Sequence, residues 1–203
     1  MDLIWEVVCL SASIVGLSIR AFTAGFVPAK TSGRTTRKGQ RADSLNTEGM
    51  YSVMRHPLYT GNFFVGLGFA LFFHLWWVSL VYVGAFWLYY ERIVFAEEEF
   101  LLKQYGDLFS AWAAKTPAFF PRLSLWQPPS QNFSVRTALK REYRTLFIIA
   151  AVFTSLELVG DFLIENALIL DPFWMAVFLV SGLVWLVLRV LHKKTHMLNV
   201  EGR

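Results

Sequence analysis

The chain is poor in cysteine, in charge and in any pattern of a soluble fold. Its single cysteine, Cys9, lies in an apolar run, so no disulfide framework forms within one chain, and the thiol reads as a packing or lipid-facing residue. Four histidines are scattered over 203 residues, which supplies no metal-ligand cluster; no metal is expected. Charged residues make up 17% of the chain against 55% hydrophobic. A water-soluble domain of this size could not hide so much apolar surface, so the membrane class is favoured. No alternation of strands and helices points to a dinucleotide-binding domain, and Gly66 and Gly68 lie inside an apolar run without a third glycine; they read as helix-packing residues. The N-terminus lacks the basic region of a cleavable leader, Asp2 and Glu6 standing there instead, so none is expected.

What is present is long apolar stretches. They cover residues 3–22, 58–73, 76–95, 146–163 and 173–191, each close to the roughly 20 residues that cross a bilayer core. The expected fold is an all-α integral membrane protein, one membrane domain over 1–203 with about five transmembrane helices. The second and third stretches are joined only near His74 and Leu75, which predicts a tight antiparallel hairpin. All 19 lysines and arginines fall within 20–55, 92–144 and 189–203. The positive-inside rule then puts the N-terminus outside and the C-terminus in the cytoplasm. The opposite face carries Asp2, Glu6, Glu165 and Asp171. The basic excess is thus explained by topology, with no recognition helix or zinc-finger spacing, and no nucleic acid partner is expected. The run KTSGRTTRKGQR at 30–41 reads either as a loop touching anionic lipid or as a grip on a phosphorylated substrate.

Two polar clusters flank the predicted hairpin. In NTEGMYSVMRHPLYTGN (46–62), Pro57 suits the first turn of a helix, where its missing N–H costs nothing. His56 stands at the cap, and Arg55 beside the free N–H groups makes an anion site. Within the helix, Tyr59, Asn62, Phe63 and Gly66 share one face along which a cofactor or lipid fits. The second cluster is ERIVFAEEEFLLKQYG (91–106). Consecutive helical residues point about 100° apart, so Glu97, Glu98 and Glu99 cannot all address one ligand. Glu98, Leu102 and Tyr105 share a stripe, as do Glu97, Leu101 and Gln104. A closed hairpin sets the two clusters side by side on the cytoplasmic face, an anion site opposite a carboxylate pair, suited to a ligand carrying both signs of charge. In the fourth span, Glu157 and Asp161 sit four residues apart in an apolar run, where ionisable groups must face protein or water. They read either as a path for a polar substrate or as a pair sharing a proton or bound to another span.

RHPLYTG, EEEFLLKQYG and TPAFFP resemble the Arg-His-Pro-x-Tyr-x-Gly and Glu-Glu-x-x-Leu signature of integral-membrane methyltransferases, which include the isoprenylcysteine carboxyl and phospholipid N-methyltransferases. The resemblance covers 46–121, a signature core followed by an interfacial connector (122–145) and two additional C-terminal spans (146–191). It implies S-adenosylmethionine as cofactor, in a cytoplasmic-side pocket built from His56, Pro57, Tyr59 and Gly61 on one side and Glu97, Glu98 and Leu101 on the other; Asn62, on the helix face described above, joins the cofactor-binding candidates. Over about 31–147 the chain resembles, more narrowly, bacterial enzymes that methylate a lipid A phosphate. This implies the bacterial inner membrane and a membrane lipid substrate.

Such a reaction asks the protein to position the acceptor and exclude water. An anionic acceptor needs no base and wants arginine, whereas an amine arrives protonated and needs one. Arg55 and Arg92 are the candidate catalytic residues, Arg92 for gripping a lipid phosphate; its alternative is an interfacial anchor or a partner of Glu91 or Glu97. Residues 106–145, with Trp112, Phe119, Phe120 and Trp126, read as an interfacial lid or as an inert connector. An isoprenylcysteine carboxylate or a phospholipid amine are alternative acceptors. An NADPH-dependent membrane reductase and a non-catalytic adaptor are the competing classes, and the sequence leaves the oligomeric state open.

Overall fold

The computed structural model describes residues 3–28, 34–36, 39–41, 44–166, 171–195 and 197–200. In chain order these form α1 (Leu3–Phe26), a two-stranded antiparallel ribbon of β1 (Arg34–Thr36) and β2 (Gly39–Arg41), and the short α2 (Met50–Val53). Then come α3 (Pro57–Leu71), α4 (Trp76–Tyr105), α5 (Asp107–Ala113), one 3-10 turn (Leu123–Leu125), α6 (Val135–Glu165) and α7 (Pro172–Lys194). The ribbon is a small exception to the all-α expectation. The side chains of the basic run at 30–41 lie outside the described residues.

Every expected apolar stretch is helical, and four helices, α1, α4, α6 and α7, are long and apolar enough to cross a membrane. The chain is therefore built as an integral membrane protein. α3 differs: its 15 residues span about 22 Å at 1.5 Å per residue, short of a bilayer core of roughly 30 Å. Hydropathy counted Phe72 and Phe73 into this span, but residues 72–75 make the reversal. His74 takes a left-handed φ of 56°, and Phe72 turns inward to become almost fully buried.

α4 and α6 err the other way, with 30 and 31 residues. The stretches 96–105 and 135–145 are rich in Ala, Leu, Glu, Lys and Arg, all good helix formers. A hydropathy window stops at these charges while the helix continues. The expected connector 122–145 is thus helical from Val135, where the Ser134 side chain caps α6 by accepting from the Thr137 N–H.

The bundle is held by close backbone approach. A methyl group on Gly16 would strike the Gly61 carbonyl and the Val65 nitrogen. One on Gly68 would strike Ser13 and the Cys9 carbonyl, and one on Gly66 the Tyr82 ring. α1 and α3 therefore pack through small residues, as membrane helices do where no hydrophobic force drives association. Behind this seam sits the main core of Cys9, Val65, Phe72, Ile149, Phe153 and Trp174. Trp174 stacks on Phe153 at 5.5 Å. Cys9 is fully buried here, a packing residue. The outward faces of α4 and α7 expose Trp76, Leu80, Leu88, Leu179 and Leu183, as lipid contact requires.

Contacts sort the helix ends into two groups. At one end Trp5 donates to the Leu71 carbonyl and Trp174 to Glu6, joining the start of α1 to the end of α3 and the start of α7. Asp171 caps α7 there, accepting from the Phe173 and Trp174 N–H groups. At the other end Ser134 N–H donates to the Gly25 carbonyl, and Lys140 reaches Asn199 beyond α7. The second end gathers Arg20, Arg55, Lys103, Lys140, Arg144 and Lys193.

Candidate functional site

The hairpin of α3 and α4 closes as the sequence predicts and brings His56 and Glu98 into contact. Their Nε2 and Oε1 atoms are 2.7 Å apart across 42 residues of chain. The site sits on the basic end of the bundle, where α3 begins and α4 projects past the length a bilayer core requires.

Pro57 is the first residue of α3 and His56 its cap position, with no side-chain cap bond. The His56 ring is instead buried, stacked on Tyr59 at 5.5 Å and tilted against Phe119 at 5.9 Å. Glu98 Oε1 also accepts from Arg55 Nε at 2.8 Å, so one carboxylate oxygen serves both side chains. Glu97, one residue back and about 100° around the helix, accepts from the Tyr59 hydroxyl at 2.7 Å; the same oxygen lies 3.8 Å from His56 Nδ1. The Glu97–Glu98 pair is thus separated by the imidazole, which faces one carboxylate with each nitrogen.

This revises the expected anion site. Arg55 does not stand free beside a helix start: besides Glu98, its Nη1 donates to the carbonyls of Ala113 and Thr116 at 2.8 and 2.7 Å. The His56 N–H goes to the Ala118 carbonyl, and those of Tyr59 and Thr60 turn back to the His56 carbonyl. Arg55, His56 and the carboxylates are bonded to one another and line only a small cleft. Arg55 serves as the tether of the segment after α5.

The face of Tyr59, Asn62, Phe63 and Gly66, expected to receive a ligand, packs on α4. Asn62 donates to the Tyr90 hydroxyl at 2.9 Å, and the Tyr82 hydroxyl donates to the Phe63 carbonyl at 2.9 Å. Gly61 faces α1, where a methyl group would meet Arg20 and the Gly16 carbonyl; its small size is needed for helix approach. Leu101 is buried against Phe109 in a small apolar cluster with Leu45 and Trp112. Arg92 is exposed and lies about 140° around α4 from Glu97. The acceptor-gripping position expected for it is therefore turned away from the carboxylate cleft.

A second polar assembly escaped the sequence reading. Arg20 on α1 makes a bidentate pair with Glu142 on α6, Nε to Oε2 at 2.8 Å and Nη2 to Oε1 at 3.0 Å. Its Nη1 donates to Asn62 Oδ1, and Asn62 leads to Tyr90, whose ring lies 5.0 Å from that of Tyr59. In the sequence Arg20 reads only as a topological charge. Two partners 122 residues apart leave no local pattern, and the one available signal was Glu142 itself, an acid among LKREYRT.

Glu157, expected as one of a pair with Asp161, lies elsewhere, near Glu6 of α1. Glu157 is buried, and its Oε2 has no hydrogen-bond partner among the described residues, while Glu6 is buried and bound by Trp174. Both belong to the opposite end of the bundle.

Leu45, Tyr51, Phe109 and Trp112 roof the cleft over His56, Glu97 and Glu98, leaving a volume of about 30 Å³. That is room for roughly one water, an order of magnitude below a typical small-molecule pocket. The Trp112 indole donates to the Tyr51 carbonyl, and N–H groups of Arg55, His56 and Arg122 pair with carbonyls across the segment 117–122 and Val53. The segment expected as a lid thus covers the site as far as about residue 122, with Phe119 against His56 and Trp87 and Phe120 fully out in the surroundings.

Residues 10–108 match the family model described as phospholipid methyltransferase. The chain is 39% identical over 92 residues to the cobalt-zinc-cadmium resistance protein CzcN of Cupriavidus metallidurans, a stretch covering 45% of this chain and 42% of that protein. It is 36% identical over 92 residues to the nickel-cobalt-cadmium resistance protein NccN of Alcaligenes xylosoxydans xylosoxydans, covering 45% and 43%. It is 29% identical over 77 residues to the protein-S-isoprenylcysteine O-methyltransferase of Schizosaccharomyces pombe, covering 38% and 33%. The matched stretches span less than half the length of each relative. No solved structure matches. The comparisons support the broad family of membrane methyltransferases, and the stretch matched by the family model includes both carboxylates and the histidine between them.

Proposed function

We propose that the protein is an S-adenosylmethionine-dependent methyltransferase acting on an anionic group of a membrane lipid. The observation that carries this reading is the Glu97–Glu98 pair held around His56 and Tyr59 at one helix end, inside the segment that matches phospholipid methyltransferases.

The donor set suits the cofactor. It presents carboxylate oxygens that accept from ribose hydroxyls or an ammonium group, and a negative surround for a sulfonium. Glu97 and Glu98 would hold it, with Tyr59 and His56 fixing their orientation; Pro57 and Gly61 support α3 from behind. The cofactor supplies an activated methyl group. The protein's part is to place an acceptor oxygen and exclude water, and the roof of Phe109 and Trp112 is suited to the second task. The 30 Å³ cleft requires that roof to lift for binding.

The acceptor we favour is a lipid A phosphate oxygen, with the active end facing the cytoplasm of a bacterial inner membrane. The basic helix ends collected there support that orientation. An oxygen acceptor also agrees with the isoprenylcysteine relative, named an O-methyltransferase, and a lipid acceptor with the name of the matched family. A phosphate or carboxylate needs no base, and the two carboxylates that could serve as one are engaged with His56, Arg55 and Tyr59. Incubating the purified protein with methyl-labelled S-adenosylmethionine and a crude lipid extract tests the reading. Label in lipid A supports it; label in a phospholipid amine overturns the acceptor, and absence of cofactor binding overturns the activity. Binding of NADPH instead would favour a reductase.

A further inference from the structure

At the same end of the bundle, between the start of α6 and the end of α7, lies a cavity of about 330 Å³, within the range of small-molecule sites and ten times roomier than the carboxylate cleft. Its wall is basic: Lys140, Arg141 and Arg144 from α6, with His192 from α7. Leu198, buried in the segment that folds back after α7, forms an apolar floor.

Two of these cations, Lys140 and Arg144, are bonded to neutral partners. Lys140 Nζ donates to the neutral Asn199 side chain at 2.6 Å. Arg144 Nε donates to the Tyr143 hydroxyl at 3.1 Å, and its guanidinium lies 5.6 Å from the centre of that ring. Among the described residues neither cation has a carboxylate partner. Three other cations on this end do have acid partners: Arg20 is paired with Glu142, Arg55 with Glu98 and Lys103 with Glu99. Glu142 stands between the cavity's own cations in sequence, yet its side chain points to α1. His192 Nδ1 is buried and has no hydrogen-bond partner among the described residues, and its ring meets Tyr143 edge to face at 6.2 Å. Buried polar atoms are seldom left without a partner.

We infer that this cavity binds the phosphate of an anionic membrane lipid headgroup, at a site separate from the carboxylate cleft. Lysine and arginine would hold the phosphate oxygens, and the imidazole nitrogen would contribute a further polar contact. Leu198 would meet the glycerol and first methylene groups. Basic cavities between membrane helices take lipid headgroups by this chemistry. A concave pocket between two apolar helices fits a single headgroup and offers no track for a nucleic acid strand. The inference does not depend on methyl transfer.

The detergent-solubilised full chain is titrated with dihexanoyl phosphatidic acid, dihexanoyl phosphatidylcholine and inorganic phosphate, and adducts are read by native mass spectrometry. One phosphatidic acid per chain is expected, bound in preference to the other two probes. Each cation near an anionic lipid is worth roughly a fivefold change in affinity, so Lys140→Gln with Arg144→Gln should weaken it about 25-fold. Arg136→Gln, an exposed neighbour on the same helix, should leave it unchanged. Inorganic phosphate binding as tightly as phosphatidic acid overturns the lipid assignment, and unchanged affinity in the double variant overturns the site. Should the double variant fail to fold, Lys140→Arg with Arg144→Lys must keep binding and Leu198→Trp, which fills the cavity, must lose it; the opposite pattern refutes the proposal.

Discussion

Replacing Arg55 by alanine should release the roof of the carboxylate cleft without unfolding the bundle. The side chain makes three short charge-assisted bonds, to Glu98 Oε1 at 2.8 Å and to the carbonyls of Ala113 and Thr116 at 2.8 and 2.7 Å. Bonds of this kind are each worth about 1.5–3 kcal/mol when one partner is removed. They are not additive, and Arg55 is partly exposed, so we take about 3 kcal/mol for the three. That amount raises the population with the roof detached roughly 150-fold. Hydrogen exchange reads it directly, because the His56 and Arg122 amides are bonded across the junction to Ala118 and Val53. Their protection should fall by about that factor, while amides in the middle of α1 and α6 keep theirs. Arg55→Lys, which retains the charge but not the fork, should fall in between. Arg92→Ala should do nothing. Wild-type protection of His56 and Arg122 in Arg55→Ala would refute the tether.

Glu97→Gln and Glu98→Gln should each weaken S-adenosylmethionine by about ten- to a hundredfold in calorimetric titration, given the strength of bonds to charged groups; affinity within twofold of wild type for both would remove the carboxylates from the cofactor site. Gly16→Ala should destabilise by about 1–3 kcal/mol, because its methyl meets backbone rather than a movable side chain. Gly84→Ala, with open space around it, should be neutral or stabilising by up to about 1 kcal/mol, and thermal melts in detergent separate the two. Glu142→Gln should cost about 3 kcal/mol, since it strands Arg20 beside Asn62; an unchanged melting temperature would show the pair to be dispensable.

What could be read in advance, and what could not, divides along a physical line. Long apolar runs report helices because bilayer thickness imposes their length. The tight reversal near His74 follows from two such runs with almost nothing between them, and its closure places His56 against Glu98. Pairing partners were not readable. Arg55 could have faced a ligand, a lipid or a carboxylate, and only the path of residues 113–118 over the cleft decides for the carbonyls. Arg92 reads as a pocket residue only through its nearness in sequence to the glutamates, but five residues along a helix turn it about 140° away from Glu97. Gly61 belongs to the signature, yet its neighbours Gly16 and Arg20 lie in a helix that the signature does not mention.

The position of α4 joins these points into one argument. α4 makes its helix contacts chiefly with α3 and α5, and most of its surface faces outward, so burial of apolar area contributes little to holding it. What α4 offers α3 is a series of polar bonds on one face: Tyr82 to the Phe63 carbonyl, Tyr90 with Asn62, Glu97 with Tyr59, and Glu98 with His56 and Arg55. In an apolar solvent such bonds are a principal glue between helices. The outermost rungs are the candidate cofactor site, and the Asn62 rung is fixed from behind by Arg20 and Glu142. Any ligand taking Glu97 and Glu98 must compete with bonds that also keep α4 in place. The inner rungs at Tyr82 and Tyr90 therefore have to hold the hairpin while the outer ones exchange partners. Tyr90→Phe with Tyr82→Phe should accordingly loosen α4 along its length, and the effect should be larger with cofactor bound than without it.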